Sequence, residues 1–120
     1  SLNAVARLYG ISHPRTEVGR LLADLSLQDE VLNRLPSQLS GGQLQRLSIL
    51  RSLLVSPRLI ILDEPTSALD ISTQASIIHA LEAIRSERDI SYLFISHDIP
   101  LMRRFSDRIL FMASGQLHEE

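Results

Sequence analysis

The 120-residue chain has no cysteine, no tryptophan and, since all twelve basic residues are arginine, no lysine. Without cysteine there is no thiolate nucleophile, no disulfide framework and no cysteine-based zinc site. Without lysine there is neither a Schiff-base amine nor the lysine by which a glycine-rich phosphate loop holds a nucleotide. Aromatic residues make up only 4% of the chain, so the core must be built from aliphatic side chains within the 44% that is hydrophobic. An excess of either charge is also missing, because twelve Arg against fourteen Asp and Glu leave a formal net charge of -2. That balance gives no electrostatic reason to expect nucleic acid or anionic lipid as a main partner. The longest unbroken apolar run covers only 109–113, far short of the ~20 residues of a membrane-spanning helix, and no signal-peptide pattern opens the sequence. A compact unit of this length buries roughly two thirds of its unfolded surface, enough for a core without covalent staples.

Periodicity divides the chain in two. Val18, Leu21, Leu22 and Leu25 fall at helical spacing, with Thr16 placed to cap the helix and Glu17 in its first turn. A second short helix fits 29–35, where Val31, Leu32 and Leu35 share a face and Pro36 ends it. Leu44, Leu47, Leu50 and Leu54 then give a helix that starts behind two glycines and stops at Ser56-Pro57. From Leu59 the period changes. The aliphatic run 59–62 predicts a strand covered on both faces. A helix with Ile77, Ile78, Leu81 and Ile84 as its buried stripe follows, then a strand over 92–95. Asp98 is placed to cap a helix with Met102 and Phe105 inward. A third strand, 108–113, leads through Ser114-Gly115 into a short extension at 116–118. Strand, helix, strand, helix, strand predicts a parallel sheet of the α/β class. The expected division is 1–57 as a helical subdomain and 58–120 as part of a sheet core.

Three segments can carry chemistry. Asp63 and Glu64 stand at the carboxyl end of the first strand, where open α/β sheets collect ligands. There Asp63 can hold a hydrated Mg²⁺ and Glu64 can orient or deprotonate a water. His97 follows the next strand and is expected to open onto the same edge; His13, His79 and His118 have no such company and are read as ordinary surface or turn histidines. Leu39-Ser40-Gly41-Gly42-Gln43 stands directly before a helix. Its glycines permit close backbone approach, and the helix start behind them favours a phosphate. Chance occurrence of this string in such a length is on the order of one in ten thousand at average residue usage.

The string 39–43 matches the signature sequence of ATP-binding cassette (ABC) transporter ATPases. In family order, 58–65 resembles the Walker B strand, Ser67-Ala68-Leu69-Asp70 the D-loop, and Ile95-Ser96-His97-Asp98 the H-loop. The stretch 69–75 is similar in style to the oligopeptide, dipeptide and nickel importers. The resemblance implies a partial P-loop NTPase fold of the ABC type, a helical subdomain plus the second half of the parallel-sheet core. It further implies MgATP hydrolysis between two ATPase subunits placed head to tail. On the family pattern, Ser40, Gly41, Gly42 and Gln43 contact the γ-phosphate of ATP held by the opposite subunit, Asp63 positions Mg²⁺ and Glu64 is the general base. His97 contacts the γ-phosphate, and Asp70 couples the two sites.

Nothing matches Gly-x-x-x-x-Gly-Lys-Ser/Thr, and neither an adenine-stacking aromatic nor a Q-loop can be placed; in the family these precede the helical region. Ser1-Leu2-Asn3 is compatible with the residue of a segment just after the Q-loop. The expectation is therefore the carboxyl-terminal part of an importer ATPase, inactive alone. It would sit peripherally on the cytoplasmic face of a membrane, with permease subunits and a second ATPase subunit as partners and peptides or nickel as cargo. Two alternatives stand beside it: a soluble ABC ATPase of DNA repair or translation, and a non-enzymatic remnant that acts as a binding module.

Overall fold

The computed structural model describes residues 14–119; Ser1-Leu2-Asn3 and His13 lie outside them. Helix α1, Pro14–Asp24, opens with proline, whose fixed φ and missing N–H suit a first helical position. Thr16 therefore lies inside the first turn and is not the cap that the sequence predicts, while Glu17 is in that turn as expected. Leu21, Leu22 and Leu25 are buried and Val18 packs against them. The next segment is not an α-helix: Asp29–Asn33 and Pro36–Gln38 form two short 3-10 turns. Val31 alone of its apolar trio is buried there, with Leu32 and Leu35 exposed. Pro36 removes a donor one turn on, and i→i+3 bonds such as Arg34 N–H to Val31 O close the segment instead.

Helix α2, Gly41–Leu53, begins at the paired glycines. Its inner face is Ile49, Leu50 and Leu53, continued by Leu54, whereas Leu44, predicted inward, is exposed. Strand β1, Leu59–Asp63, is followed by α3, Ile71–Glu87, and β2, Ser91–Ile95. The predicted stripe of α3 is the one observed, joined by Ala80. Strands β1 and β2 are parallel and pair residue for residue from Leu59 opposite Ser91 to Asp63 opposite Ile95.

Only one face of this ladder is covered. Ile60 and Leu62 are buried in the core shared by α1, α2 and α3, while Leu59 and Ile61 are 55% and 62% exposed. The expectation of cover on both faces is thus not met among the described residues. Helix α4, Ile99–Phe105, turns Met102 and Phe105 inward as predicted. The Phe105 ring lies 6.2 Å from that of Tyr92 and 5.5 Å from that of Phe94. The Tyr92 hydroxyl donates to Leu81 O at 3.0 Å, and burial pushes its pKa up to about 12.

The third strand departs from the predicted three-stranded parallel sheet. Strand β3, Leu110–Ala113, pairs antiparallel with β4, Gln116–Glu119, as a separate hairpin. Ser114 and Gly115 both have positive φ, 51° and 77°, the geometry of a tight two-residue turn. Among the described residues β3 is not laddered to β1 or β2. Arg88, just past α3, ties α1 to the rest by meeting Glu17 at 2.7 Å and Asp24 at 3.9 Å, all three groups half-buried.

Candidate active site

Because β1 and β2 pair without offset, the chain leaves both strands at one level. One more rung follows, Glu64 N–H to Ile95 O at 2.9 Å, and the backbone of Glu64 then takes φ 45°. A left-handed φ costs a non-glycine residue of order 1–2 kcal/mol and in folded proteins gathers at functional positions. Ser67 holds the turned backbone, donating to Glu64 O from its hydroxyl at 3.1 Å and from its N–H at 3.3 Å. The result aims the carboxylate at the end of β2. Glu64 Oε1 lies 2.7 Å from His97 Nδ1 and accepts from the His97 main-chain N–H at 3.2 Å. Glu64 Oε2 is buried without a hydrogen-bond partner among the described residues. The hydrogen bond to Glu64, followed by the charge of that carboxylate, raises the His97 pKa above its ordinary value. The ring is 81% exposed, so with Nδ1 committed, Nε2 is free to meet a ligand.

Asp63 ends the alternation of β1 on the same uncovered face as Leu59 and Ile61. Its carboxylate is exposed and has no ion pair or hydrogen bond to a described residue. Among the described residues no group of three or more His, Asp or Glu converges to cage a metal. A single open carboxylate suits Mg²⁺, which keeps most of its waters and is shared with substrate phosphates.

The second cluster forms where α2 meets α3. Ser40 caps α2 in a reciprocal box: Gln43 N–H donates to Ser40 Oγ at 3.2 Å, and Ser40 N–H donates to Gln43 Oε1 at 3.0 Å. The Ser40 hydroxyl proton and the Gln43 amide protons stay available. Gly41 is exposed, but Gly42 is buried, and the close approach it permits is to this chain: a Cβ there would lie 2.6 Å from Thr73 Cγ2. Asp70 caps α3, accepting from Thr73 N–H at 3.0 Å, from Thr73 Oγ1 at 2.6 Å and from Ser72 Oγ at 2.5 Å. Those bonds, the Ser72 hydroxyl first, hold its carboxyl far below the usual range.

Glu64 and His97 are thus in contact, and the 39–43 turn is in contact with the segment around Asp70. No hydrogen bond or ion pair among the described residues joins the two clusters directly; the loop 64–70 runs from one to the other. Gln74 braces that loop by donating to Thr66 O at 2.9 Å and Leu69 O at 3.2 Å, with Thr66 itself buried. Thr66, Thr73 and Gln74 are site residues that composition and periodicity do not single out; the only local signal is their spacing about the Asp70 cap. His79 is a surface residue 3.7 Å from Glu82, and His118 lies in the exposed β4, as read.

Carboxylate and imidazole at the carboxyl ends of parallel strands, beside a capped helix start, define an α/β protein with its candidate site at one edge of the sheet. The family model described as ABC transporter matches residues 4–67, over half of the chain, and the chain belongs to that family. It is 48% identical over 103 residues to the nickel import ATP-binding protein NikE of Brucella abortus (strain 2308), covering 86% of this chain and 39% of that protein. It is 41% identical over 105 residues to the oligopeptide transport ATP-binding protein OppF of Escherichia coli (strain K12), covering 88% and 31%. The chain therefore spans well under half the length of these relatives. A dimeric ATP-binding cassette solved in a post-hydrolysis state with ADP and phosphate superposes with a TM-score of 0.77 at 34% identity, covering 92% of this chain and 47% of that one. An inward-facing, metal-chelate type ABC transporter superposes with a TM-score of 0.81 at 28% identity, covering 91% and 43%.

Proposed function

We propose that the chain is the carboxyl-terminal part of an importer ATPase that hydrolyses MgATP, with 1–57 contributing a helical subdomain and 58–120 the second half of the catalytic core. The observation that carries this reading is the Glu64–His97 pair, with one carboxylate oxygen held by His97 and the other buried and unpartnered among the described residues. Glu64 takes the proton of an attacking water, while His97 orients its carboxylate through Oε1. His97 Nε2–H donates to the phosphoryl oxygen on which charge develops, which its raised pKa favours. Asp63 would hold Mg²⁺, which when bound would supply positive charge to offset that of the phosphates. Ser40, Gly41, Gly42 and Gln43 serve an ATP bound by a second ATPase subunit. For Gly42, the role is to let the turn seat on Thr73; Gly41 and the free protons of Ser40 and Gln43 are the groups that face a γ-phosphate. Asp70 links the two sites.

Among the described residues no helix is long and apolar enough to cross a membrane, which fits a peripheral subunit on the cytoplasmic face bound to permease subunits. The relatives named for nickel and oligopeptide import make those the cargo classes of choice.

In the complete protein, Glu64→Gln is expected to slow single-turnover ATP hydrolysis by about 10²–10⁴-fold with ATP binding retained, because an amide cannot take a proton from water. Hydrolysis at the wild-type rate would refute the assignment. Calorimetric titration of the 120-residue chain alone should give no tight MgATP binding, since no phosphate-cradling lysine loop is present.

A further inference from the structure

The turn at 39–43 rests on the two residues that bracket Asp70 in space. A Cβ on Gly41 would lie 3.5 Å from Leu69 Cδ2, an ordinary contact, whereas one on Gly42 would lie 2.6 Å from Thr73 Cγ2, closer than real Cβ atoms approach. Thr73 cannot simply swing aside. Its hydroxyl donates to Asp70 Oδ2 at 2.6 Å and its N–H to Asp70 Oδ1 at 3.0 Å, and a β-branched side chain in a helix has few χ1 states to choose from. One turn further along both helices a second tie occurs, Arg46 Nη2 donating to Ser76 Oγ at 2.8 Å. The starts of α2 and α3 therefore meet at two points, the Thr73 methyl against Gly42 and Arg46 against Ser76.

We propose that Thr73 is a positioning residue: anchored by Asp70, its methyl group forms the seat of the 39–43 turn, so that the turn and Asp70 move as one body. The proposal rests on the reading of Ser40–Gln43 as ligand-facing groups, and gives Asp70 a path to them within a single chain.

The test is a rescue in the complete protein, read as kcat and KM for ATP, with thermal unfolding of the same variants of the complete protein followed in parallel. Gly42→Ala should lower kcat about tenfold or more with KM nearly unchanged, the pattern of a mispositioned group. Thr73→Ser keeps the hydroxyl and deletes the methyl, leaving Thr73 Cβ at 3.9 Å as the nearest remaining atom. Gly42→Ala combined with Thr73→Ser should therefore recover kcat to within about threefold of Thr73→Ser alone, a coupling that independent sites do not show. Thr73→Val keeps a methyl at the seat and must not rescue. In thermal unfolding, Gly42→Ala should lower Tm on the Thr73 background and raise it on the Ser background, where only the helix preference for alanine over glycine remains. Failure of Thr73→Ser to rescue kcat, or equal rescue by Thr73→Val, overturns the proposal. Rescue of Tm without rescue of kcat assigns the contact to folding alone and also overturns it. A wild-type protein without ATPase activity refutes the functional reading, and the Tm cycle then still decides whether the turn seats on Thr73.

Discussion

With Oε1 taken by both nitrogens of His97 that face it and Oε2 buried without a partner among the described residues, Glu64 can be probed by its effect on the histidine. Glu64→Gln should bring the His97 pKa down toward its ordinary value, because the hydrogen bond and charge that raise it come from that carboxylate; an NMR titration of the ring protons of both proteins reads this. The stability consequence has a definite sign. A histidine whose folded pKa is raised contributes its full stabilisation below the unfolded value of about 6.5 and loses it as pH rises through the folded value. The stability gap between wild type and Glu64→Gln in urea should accordingly be wider at acid pH than at alkaline pH; a gap that widens with pH would contradict the pairing. Asp70 has the opposite dependence: its depressed pKa means that its cap persists as pH falls well below the usual carboxylate range.

At the level of single elements, Ser40→Ala should destabilise the chain by about 1 kcal/mol, the ordinary cost of losing an N-cap oxygen, measurable as a shift in the denaturation midpoint. Helices and strands with a strong period were legible in the sequence: α3 with Ile77, Leu81 and Ile84, both parallel strands, and the Asp98 cap, whose Oδ1 accepts from Leu101 N–H at 3.0 Å. Pairing and exposure were not. Nothing local tells β3 to leave the parallel sheet for a hairpin, since strand partners are chosen by what is adjacent in space. Leu44 has the right spacing for a buried stripe, yet Ile49 and Leu53 take the inner face once Gly42 has set α2 against α3. In the site, the convergence of Glu64 and His97 followed from the strand ends, whereas the φ of Glu64 and the seat on Thr73 depend on tertiary contacts with no sequence period.

The whole molecule is drawn out, with a radius of gyration of 15.4 Å and extents of 43 × 29 × 25 Å, against about 13.5 Å for a compact domain of this length. The hairpin β3–β4 is exposed along β4, and the sheet of β1 and β2 is covered on one face only among the described residues. Leu59, Ile61, Leu93 and Ile95 leave an apolar strip on that sheet, each about half exposed or more, and apolar strips beside open strand edges promote association. Ile61→Thr combined with Leu93→Thr should reduce concentration-dependent self-association in sedimentation without loss of helical circular dichroism; unchanged association would place the sticky surface elsewhere. The flush ends of β1 and β2 also divide the chain by its tolerance of length change. Connections such as 54–58 and 88–90 can absorb an inserted residue as slack. An insertion inside β1 or β2 must either bulge or advance one strand end past the other by about 3.3 Å, more than the 2.7 Å that joins Glu64 to His97. Natural insertions and deletions should therefore collect in the connections and spare the two strands.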